Sequence, residues 1–475
     1  MPDNNQTVET SCLSRNMFGR RMIYSIEPKI TDGNINAVIE QAYLDHLVNR
    51  EEIQYLWDYF KGKQPALYRK REYRPELTQR ICENRANEIV NFKVGYIAGK
   101  PIKYIASADG KNISDSVSKL NDLMRVVGKP TKDKELIEWC MVGGIGYRYV
   151  VQNFNPLLHS PFNLYTLDPR NTFVIRSNDF SKRVIAGVNY VKDANENITF
   201  TVYTNDAVYT IQKGSGKYSK ERNTFGVIPI IEYQNNSARQ GAFEIVLSLL
   251  DAINDFDCAR NEAVQQFVQS LMVLYNCQVE EGTDANTIRQ AGMILLKSTS
   301  DSKADIKILA EQLDQSQNQT LKDDMYNAVL QICGVPSQSA GNTSDSSNNG
   351  AVVLKNGWEG AETRAEAFET MFHLPEQEML QVVSVLCRGI AGIEFDPTDL
   401  EIKFTRRNYE NILSKSQTLT TMLNNQKVHP QKAYEASGLF VDTEEAYQMG
   451  MDWYEQQKEE EQKLLAKQKT DVTVE

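Results

Sequence analysis

The sequence predicts a mainly helical α+β chain, in which an antiparallel sheet unit is followed by long helices. Three observations support this fold class. Short runs rich in Tyr, Val, Ile and Thr recur between residues 147 and 212, and turn residues separate them. Apolar residues recur every three or four positions over 242–275, as in a long amphipathic helix. The chain has 475 residues, 41% of them hydrophobic, which is enough for about three structural units.

The N-terminal part of the chain is expected to be an arm followed by helices. Residues 1–35 are polar, with scattered Pro, Asn and Gly, which is typical of a flexible N-terminal arm. Helical spacing then covers three stretches: 36–60, 76–98 and 115–141. Gly99 and Pro101 end the second stretch, because Pro disfavours helix at the residue before it. The turn 143–146, Gly-Gly-Ile-Gly, is expected to be tight and to bring two backbones close together.

The sheet unit is predicted from residue 147 onward. Its strands are expected at 147–153, 163–167, 172–176, 184–191, 198–204 and 207–212. Each run is short and is followed by turn residues, as at Asp168-Pro169, which favours hairpins and an antiparallel sheet. A further short apolar strand, 226–233, precedes the long helix.

The C-terminal half is predicted to be mostly helical. A helix over 242–275 would be roughly 50 Å long, which is more than a small domain can cover. The Ser-, Asn- and Gly-rich segment 337–350 is expected to be a functional or disordered loop. The other expected elements are a small helix-and-strand unit over 276–310, a returning helix over 315–333, a helix over 351–390 bent by Pro375, a strand within 394–404, and a helical C-terminal block.

The charge balance excludes a generic nucleic-acid coat. The chain carries 52 Lys and Arg against 63 Asp and Glu, a net charge of −11, whereas coating proteins neutralise phosphates with excess cations. No apolar run is long enough to cross a membrane, so no membrane partner is expected. The polar N-terminus lacks the apolar stretch of a signal peptide.

The residue types of catalytic and metal sites are scarce. Seven Cys are scattered with no CxxC pair, and four His are present, which indicates neither a disulfide framework nor a zinc cluster. Residues 95–101 superficially resemble a phosphate loop, but only three residues separate the glycines, and Pro101 stands where Ser or Thr would hold Mg²⁺. No constellation for nucleophilic or acid–base catalysis is found. We therefore expect no enzyme activity, no cofactor and no metal.

The stretch 61–103 differs in charge from the rest of the chain. It holds eleven Lys and Arg against four Glu, so the remainder of the chain is strongly acidic. These cations could meet nucleic-acid phosphates or an acidic face of a neighbouring subunit, and the acidity elsewhere favours the subunit contact. The predicted basic patch at the subunit interface consists of Arg69, Lys70, Arg71, Arg74, Arg80 and Arg85.

Five motifs follow one another in a recognisable order. They are Asn87–Ile102, Gly144–Tyr149, Phe225–Asn236, Phe243–Asn254 and Asn349–Lys355. In this order they resemble portal proteins of tailed double-stranded DNA bacteriophages, the head-to-tail connectors of the siphovirus type with long non-contractile tails. The last motif is similar to the end of the family's tunnel loop, where Ser-Gly-x-Ala is more usual. The resemblance covers about residues 80–390.

The resemblance implies a ring-forming subunit, commonly in a dodecamer, with the portal fold. That fold has an α+β wing, long antiparallel stem helices, a small α/β clip and a helical crown. The implied function is a channel for DNA packaging and ejection at one capsid vertex. The implied segments are the wing 36–240, the stem helices 241–275 and 315–334, the clip 276–314, the tunnel loop 335–356, the long wing helix 357–394, and the crown with the C-terminal tail 395–475.

The implied partners are further copies of the chain, double-stranded DNA in the channel, the terminase large subunit, a head-completion or adaptor protein, and capsid and scaffold proteins. The implied location is the portal vertex of the virion, after assembly in the cytoplasm of the host bacterium. Two other functions stay open. One is another phage head structural or adaptor protein. The other, less favoured, is a DNA-processing enzyme, which would need a phosphate loop or clustered carboxylates.

Two groups of residues are expected to face DNA in such a channel. On the stem helices they are Asp251, Asp255, Glu262, Gln266, Gln269 and Lys322. In the tunnel loop, where hydroxyls and amides would touch phosphates weakly, they are Ser337, Ser339, Asn342, Thr343, Ser344, Ser346, Ser347, Asn348, Asn349 and Lys355. An acidic, amide-rich bore would let DNA slide, since many Lys and Arg contacts would hold it. The alternative for the loop is a disordered and inert segment.

Overall fold

The computed structural model describes residues 19–70, 78–107, 114–154, 159–268, 271–275, 305–309, 315–337, 357–406, 412–425, 427–440 and 443–471. They form a mixed helical and sheet structure, which confirms the predicted α+β class. The chain divides into two compact units. The helical unit comprises Gly62–Arg85 and Val246–Val329, and the sheet unit comprises the described part of 16–61, Ala86–Ile245 and Leu330–Glu475.

The largest sheet of the sheet unit is built from six strands. They are β1 Ile23–Ser25, β5 Thr172–Ser177, β6 Val184–Lys192, β7 Ile198–Tyr203, β8 Ala207–Gln212 and β9 Tyr218–Arg222, and they lie side by side in that order. β1 runs parallel to β5, and every other neighbouring pair is antiparallel. The four strands predicted between residues 172 and 212 are therefore confirmed. β1 and β9 were not predicted, since one has three residues and the other is exposed along its whole length.

Helix α1, Ile35–Phe60, packs its apolar positions against this sheet. Tyr43 meets the rings of Tyr190 and Phe200 edge-on at 5.3 and 5.2 Å. His46 stacks on Phe173 at 4.6 Å and is buried among these aromatic rings. The predicted helix over 36–60 is thus confirmed, and its aromatic residues anchor it to the sheet.

A second sheet has three strands in the order β10, β3, β4. Their ranges are Ile145–Gln152 for β3, Phe162–Leu167 for β4 and Ile230–Gln234 for β10. The turn before β3 is tight, as predicted. Gly144 adopts φ +82°, and a Cβ added there would lie 2.1 Å from the carbonyl oxygen of Arg239. Only glycine permits this close backbone approach.

Two predicted helices differ from those found. The helix expected over 115–141 is two helices, α3 Ser114–Val126 and α4 Lys129–Gly143, because Gly128 between them adopts φ +70°. The helix expected over 76–98 is shorter: α2 spans Arg85–Ile97. Residues 78–84 are not helical, because their amides bond to side chains of another helix.

The helical unit contains most of the predicted long helix, in altered form. Helix α5 covers Leu247–Val268, and β11, Leu271–Tyr275, follows it and pairs antiparallel with β12, Asp305–Leu309. The predicted helix over 242–275 is therefore too long at both ends. The run at 271–275 is a strand because a segment distant in sequence supplies its backbone partners. The returning helix, α6 Gln315–Cys333, is confirmed.

The C-terminal part of the sheet unit begins with α7, Trp358–Leu386, which continues through Pro375. A strand predicted within 394–404 is found as β13, Leu400–Lys403, and it pairs antiparallel with β2, Lys103–Ala106. Three further helices follow: α8 Ile412–Leu423, α9 Pro430–Ser437 and α10 Thr443–Asp471. Among the described helices, none combines the length and apolar character needed to cross a membrane.

A charged cluster lies inside the sheet unit, and sequence periodicity did not predict it. Glu376 of α7 is fully buried. Its carboxylate accepts hydrogen bonds from the hydroxyls of Tyr104 and Tyr233, both at 2.6 Å, and it lies 2.8 Å from Lys129 Nζ. Lys129 also donates to Asp133 at 2.7 Å. This buried carboxylate joins α4, α7 and two sheets. The positive charge of Lys129 and the two tyrosine hydroxyls compensate its negative charge.

A second buried carboxylate, Glu232 of β10, lies between two arginines. Arg239 donates to it at 2.5 and 3.0 Å, and Arg176 at 3.0 Å. Tyr147 completes the set with a hydrogen bond of 2.8 Å. Burial by itself would raise the pKa of Glu232, but the two guanidinium groups outweigh it and hold the pKa at about 2. Lys129 and Arg148 likewise hold the pKa of Glu376 at about 2 against the effect of burial.

We expect acid to unfold the sheet unit in two steps of pH. Burial lowers the pKa of His46 to about 4, so the stability that depends on its neutral form is lost as the pH falls from 6.5 towards 4. Glu232 and Glu376 have folded pKa values below their unfolded values, so their contribution is complete above about pH 5 and is lost towards pH 2. The urea midpoint, measured from pH 8 to pH 3, should fall slowly and then steeply. A midpoint that rises on acidification would contradict this assignment.

Candidate functional site

The helical unit places an extended segment along α5. Residues 78–84, here called the strap, run beside the helix, and every second amide of the strap donates a hydrogen bond to an α5 side chain. The pairs are Gln79 N to Glu262 Oε1 at 3.1 Å, Ile81 N to Cys258 Sγ at 3.3 Å and Glu83 N to Asn254 Oδ1 at 2.8 Å. The strap and α5 therefore run antiparallel.

The spacing of these pairs has a simple geometric cause. Acceptors four residues apart on a helix lie about 6 Å apart along its axis. Donors two residues apart on an extended chain lie about 6.6 Å apart and point the same way. One row of α5 side chains can therefore satisfy alternate strap amides, which explains why 78–84 is not helical.

Asn254 is the most enclosed member of this row. It is 1% exposed, and its Nδ2 donates to Gln64 Oε1 at 2.5 Å while its Oδ1 accepts from the strap. Gln64, also 1% exposed, donates in turn to Asn84 Oδ1 at 3.0 Å. These buried amides join the strap, α5 and the short turn before the strap.

Helix α6 contributes Lys322 to the same surface. Its Nζ lies 2.5 Å from Glu83 Oε1 and 2.9 Å from Asp257 Oδ1. Burial lowers the pKa of Lys322, but its hydrogen bonds to the two carboxylates outweigh this and raise the pKa. Lys322 thus ties α6 to both the strap and α5, and its charge is already neutralised inside the chain.

The predicted basic patch has partners within its own chain. Arg85 lies over the ring of Tyr326, 4.1 Å from the ring centre, and Arg69 Nη1 lies 3.7 Å from Glu262. Lys70 and Arg80 are exposed. Arg71 and Arg74 lie outside the described residues. The sequence left open whether these cations meet DNA or a neighbouring subunit. For Arg69 and Arg85 the structure adds residues of α5 and α6 of the same chain as partners.

The predicted channel-facing residues of α5 do not share one environment. Asp255 is exposed and Asp251 is half-buried, whereas Glu262 is only 3% exposed, against the strap. The side chain of Gln266 and the whole of Gln269 lie outside the described residues. Ala252 and Ala259 belong to the apolar residues that recur over 242–275 and were therefore expected to face inward, but both are exposed, as Asp255 is.

The structure describes one predicted tunnel-loop residue. Ser337 is half-buried and follows the end of α6. The other predicted contacts lie outside the described residues: Ser339, Asn342, Thr343, Ser344, Ser346, Ser347, Asn348, Asn349 and Lys355.

The arrangement offers no metal centre in the part of the chain that the structure describes, since no group of three His, Cys, Asp or Glu is suitably placed. The site does contain a long helix, α5. One face of α5 is hydrogen-bonded to the strap, and the opposite face is exposed and is here called the bare face. The bare face carries Ser248, Ala252, Asp255 and Ala259. Asn254 and Asp257 were missed by sequence reasoning, because a buried polar residue has the same periodic signal as an exposed one.

Comparison with known proteins identifies a family and finds similarity to solved structures. The model of the family "Phage portal protein, SPP1 Gp6-like" matches residues 41–471. Among solved structures, a chain from "Neck of empty GTA particle computed with C6 symmetry" is 12% identical, with a TM-score of 0.42, over 75% of this chain and 90% of that one. No curated protein matches the sequence.

Proposed function

Because the chain belongs to the phage portal proteins of the SPP1 Gp6-like family, we propose that copies of it form a closed ring at one capsid vertex, through which double-stranded DNA passes during packaging and ejection. The family is a structural one, so the protein acts as a portal and not as the packaging enzyme. The terminase large subunit, a head-completion protein, and capsid and scaffold proteins are its further partners in this proposal.

The observation that carries the proposal is the bare face of α5. The helix has 22 residues, about 33 Å in length, and its polar residues Asn254, Asp257 and Glu262 are buried within the chain. The opposite face exposes small side chains and Asp255. Small side chains let a neighbouring helix approach closely, as side-by-side copies in a ring require.

The charge at one edge of this face, where Asp251 and Asp255 lie, suits a bore through which DNA moves. Asp255 repels phosphates. Lys322 is neutralised by Glu83 and Asp257, and Arg69, which donates to the carbonyl oxygen of Asp255, also lies 3.7 Å from Glu262. DNA held by many free cations would bind too tightly to slide. We therefore keep Asp251 and Asp255 as proposed bore residues, and we leave out Glu262 because its carboxylate is buried against the strap.

The remaining segments are assigned by the same proposal. The sheet unit contains the wing, α5 and α6 form the stem, and residues 276–314 form the clip that meets terminase and the head-completion protein. Since β13 pairs with β2 of the sheet unit, we propose that the crown begins after Lys403.

Electron microscopy of the purified protein tests the proposal. We expect closed rings with a single rotational symmetry and an open centre, and no nucleotide hydrolysis by the rings. Monomers at every protein and salt concentration would contradict the ring, and hydrolysis that co-purifies with the rings would contradict a structural role.

A further inference from the structure

A ring of more than two copies needs two different surfaces on each chain. Only a twofold axis lets one patch meet itself, whereas a ring joins each patch to another patch on the next copy. The inference below rests on the proposed ring. In that ring, two different surfaces of the sheet unit meet.

The first surface is a cleft between α2, α7 and the turn 235–237, with a volume of about 320 Å³. Phe92, Tyr96 and Phe368 give it aromatic walls, and Lys93 and Arg364 are its charged residues. None of the described residues that line it is acidic. The cleft is therefore apolar, cationic and open to a partner.

Lys93 and Arg364 have no carboxylate partner within the part of the chain that the structure describes. Burial, with a smaller contribution from Arg364, lowers the pKa of Lys93 to about 8, although Cys333 acts in the opposite direction. Two like charges beside an apolar wall are costly unless an anion joins them. The occupant that suits this cleft is an apolar side chain with a carboxylate next to it.

The second surface is a knob at one end of the six-stranded sheet. Phe180, in the turn between β5 and β6, is 100% exposed, and Ile26, just after β1, is 91% exposed. β1 and β5 run parallel with Ser25 opposite Ser177, so both apolar side chains project near the same end of the sheet. Isolated exposed apolar residues are common, but two large ones near the same end of a sheet suit a contact surface.

The turn that carries Phe180 is held in shape by its neighbour. Asp179 Oδ1 accepts hydrogen bonds from Ser181 N at 2.8 Å, Ser181 Oγ at 2.5 Å and Lys182 N at 3.2 Å. A side chain on a preformed turn loses little conformational freedom when it docks. Lys182 and Arg183 follow in the same turn, so the phenyl ring and the Asp179 carboxylate, rather than net charge, define the knob.

We propose that the knob of one copy docks in the cleft of the next copy in the ring. Phe180 enters between the aromatic walls, and the carboxylate of Asp179 faces Lys93 and Arg364. The contact joins two surfaces that are distinct on each chain, as ring closure requires. It buries an aromatic anchor, the kind of residue that dominates binding energy at protein interfaces.

Cross-linking between two single-cysteine additions tests the contact in the full-length ring. Phe180→Cys protein and Ser237→Cys protein are mixed, assembled and treated with a short bismaleimide. We expect a covalent dimer that neither protein forms alone. The control partner is Phe154→Cys, since Phe154 is also highly exposed, at 80%, in the same unit. Rings that cross-link no better through residue 180 than through residue 154 would overturn the contact.

A second measurement separates this inference from the proposed function. Phe180→Asp should lower the fraction of chains in rings by about tenfold, while Phe154→Asp should leave it unchanged. Near-ultraviolet circular dichroism checks that both variants fold. If the natural protein forms no rings, the proposed function fails and this contact fails with it. If both variants assemble like the natural protein, only the contact fails.

Discussion

Replacing Glu376 by Gln is expected to lower the free energy of unfolding of the sheet unit by about 3–5 kcal/mol, because it leaves buried cations without their counter-charge. Glu376 is fully buried beside Lys129 and Arg148, which are also fully buried. After the substitution, Asp133 is the one remaining carboxylate between these two cations. The isosteric amide keeps the shape of the side chain, so the loss reports on charge and hydrogen bonding and not on a cavity.

The matched control for this change is Glu366→Gln. Glu366 lies on the same helix, α7, but is exposed, so the same chemical change should shift the free energy by less than about 0.5 kcal/mol. Unfolding in urea, followed by the fluorescence of Trp57 and Trp139 in the sheet unit, measures both variants. Equal midpoints for the two would mean that the buried cluster does not contribute to stability.

Replacing Asn254 by Ala is expected to cost about 2–3 kcal/mol of local stability in the helical unit. The change removes the hydrogen bonds that Asn254 makes with the amide N–H of Glu83 and with the Oε1 of the buried Gln64. A buried group that loses its hydrogen bond costs more than the bond itself contributed. The strap should therefore separate from α5 more often.

Hydrogen exchange of the strap measures this separation. In Asn254→Ala, the amides of Ile81 and Glu83 should exchange about thirtyfold faster, which corresponds to about 2 kcal/mol. The control is Asn261→Ala on the same helix, whose exposed side chain donates to the carbonyl oxygen of Asp257 and to no other group of the described residues. If both variants exchange alike, the strap is held by contacts other than the Asn254 row.

Local patterns predicted much of the sheet unit and part of the helical unit. The predicted strands between 172 and 212 are found within about one residue of their expected ends, because alternation and turn residues are local properties. The turn 143–146 was predicted to bring two backbones close together, and the structure places that approach at Gly144, where glycine tolerates the positive φ. The fold class and the portal family were also available from residue order.

The candidate site was predicted less well, because periodicity cannot say which polar residues are buried. On α5 the pattern placed Glu262 with the exposed acids and Ala259 inside, whereas the structure buries Glu262 and exposes Ala259. Hydrogen bonds to the strap explain why polar side chains of α5 are buried. A chain segment almost two hundred residues earlier supplies amides that need acceptors, and polar side chains on α5 provide them.

The sequence by itself determined most of the helices and strands, their order and the family, since these depend on neighbouring residues and on motifs that need no partner. Only the tertiary structure decided how the charges pair. Tyr104 and Glu376 are 272 positions apart and share a hydrogen bond of 2.6 Å inside the sheet unit. The net charge of −11 therefore does not show which charged groups face solvent, because many of them are paired within the chain. Burial makes each pairing strongly dependent on distance, and distances between remote residues are set by the fold alone.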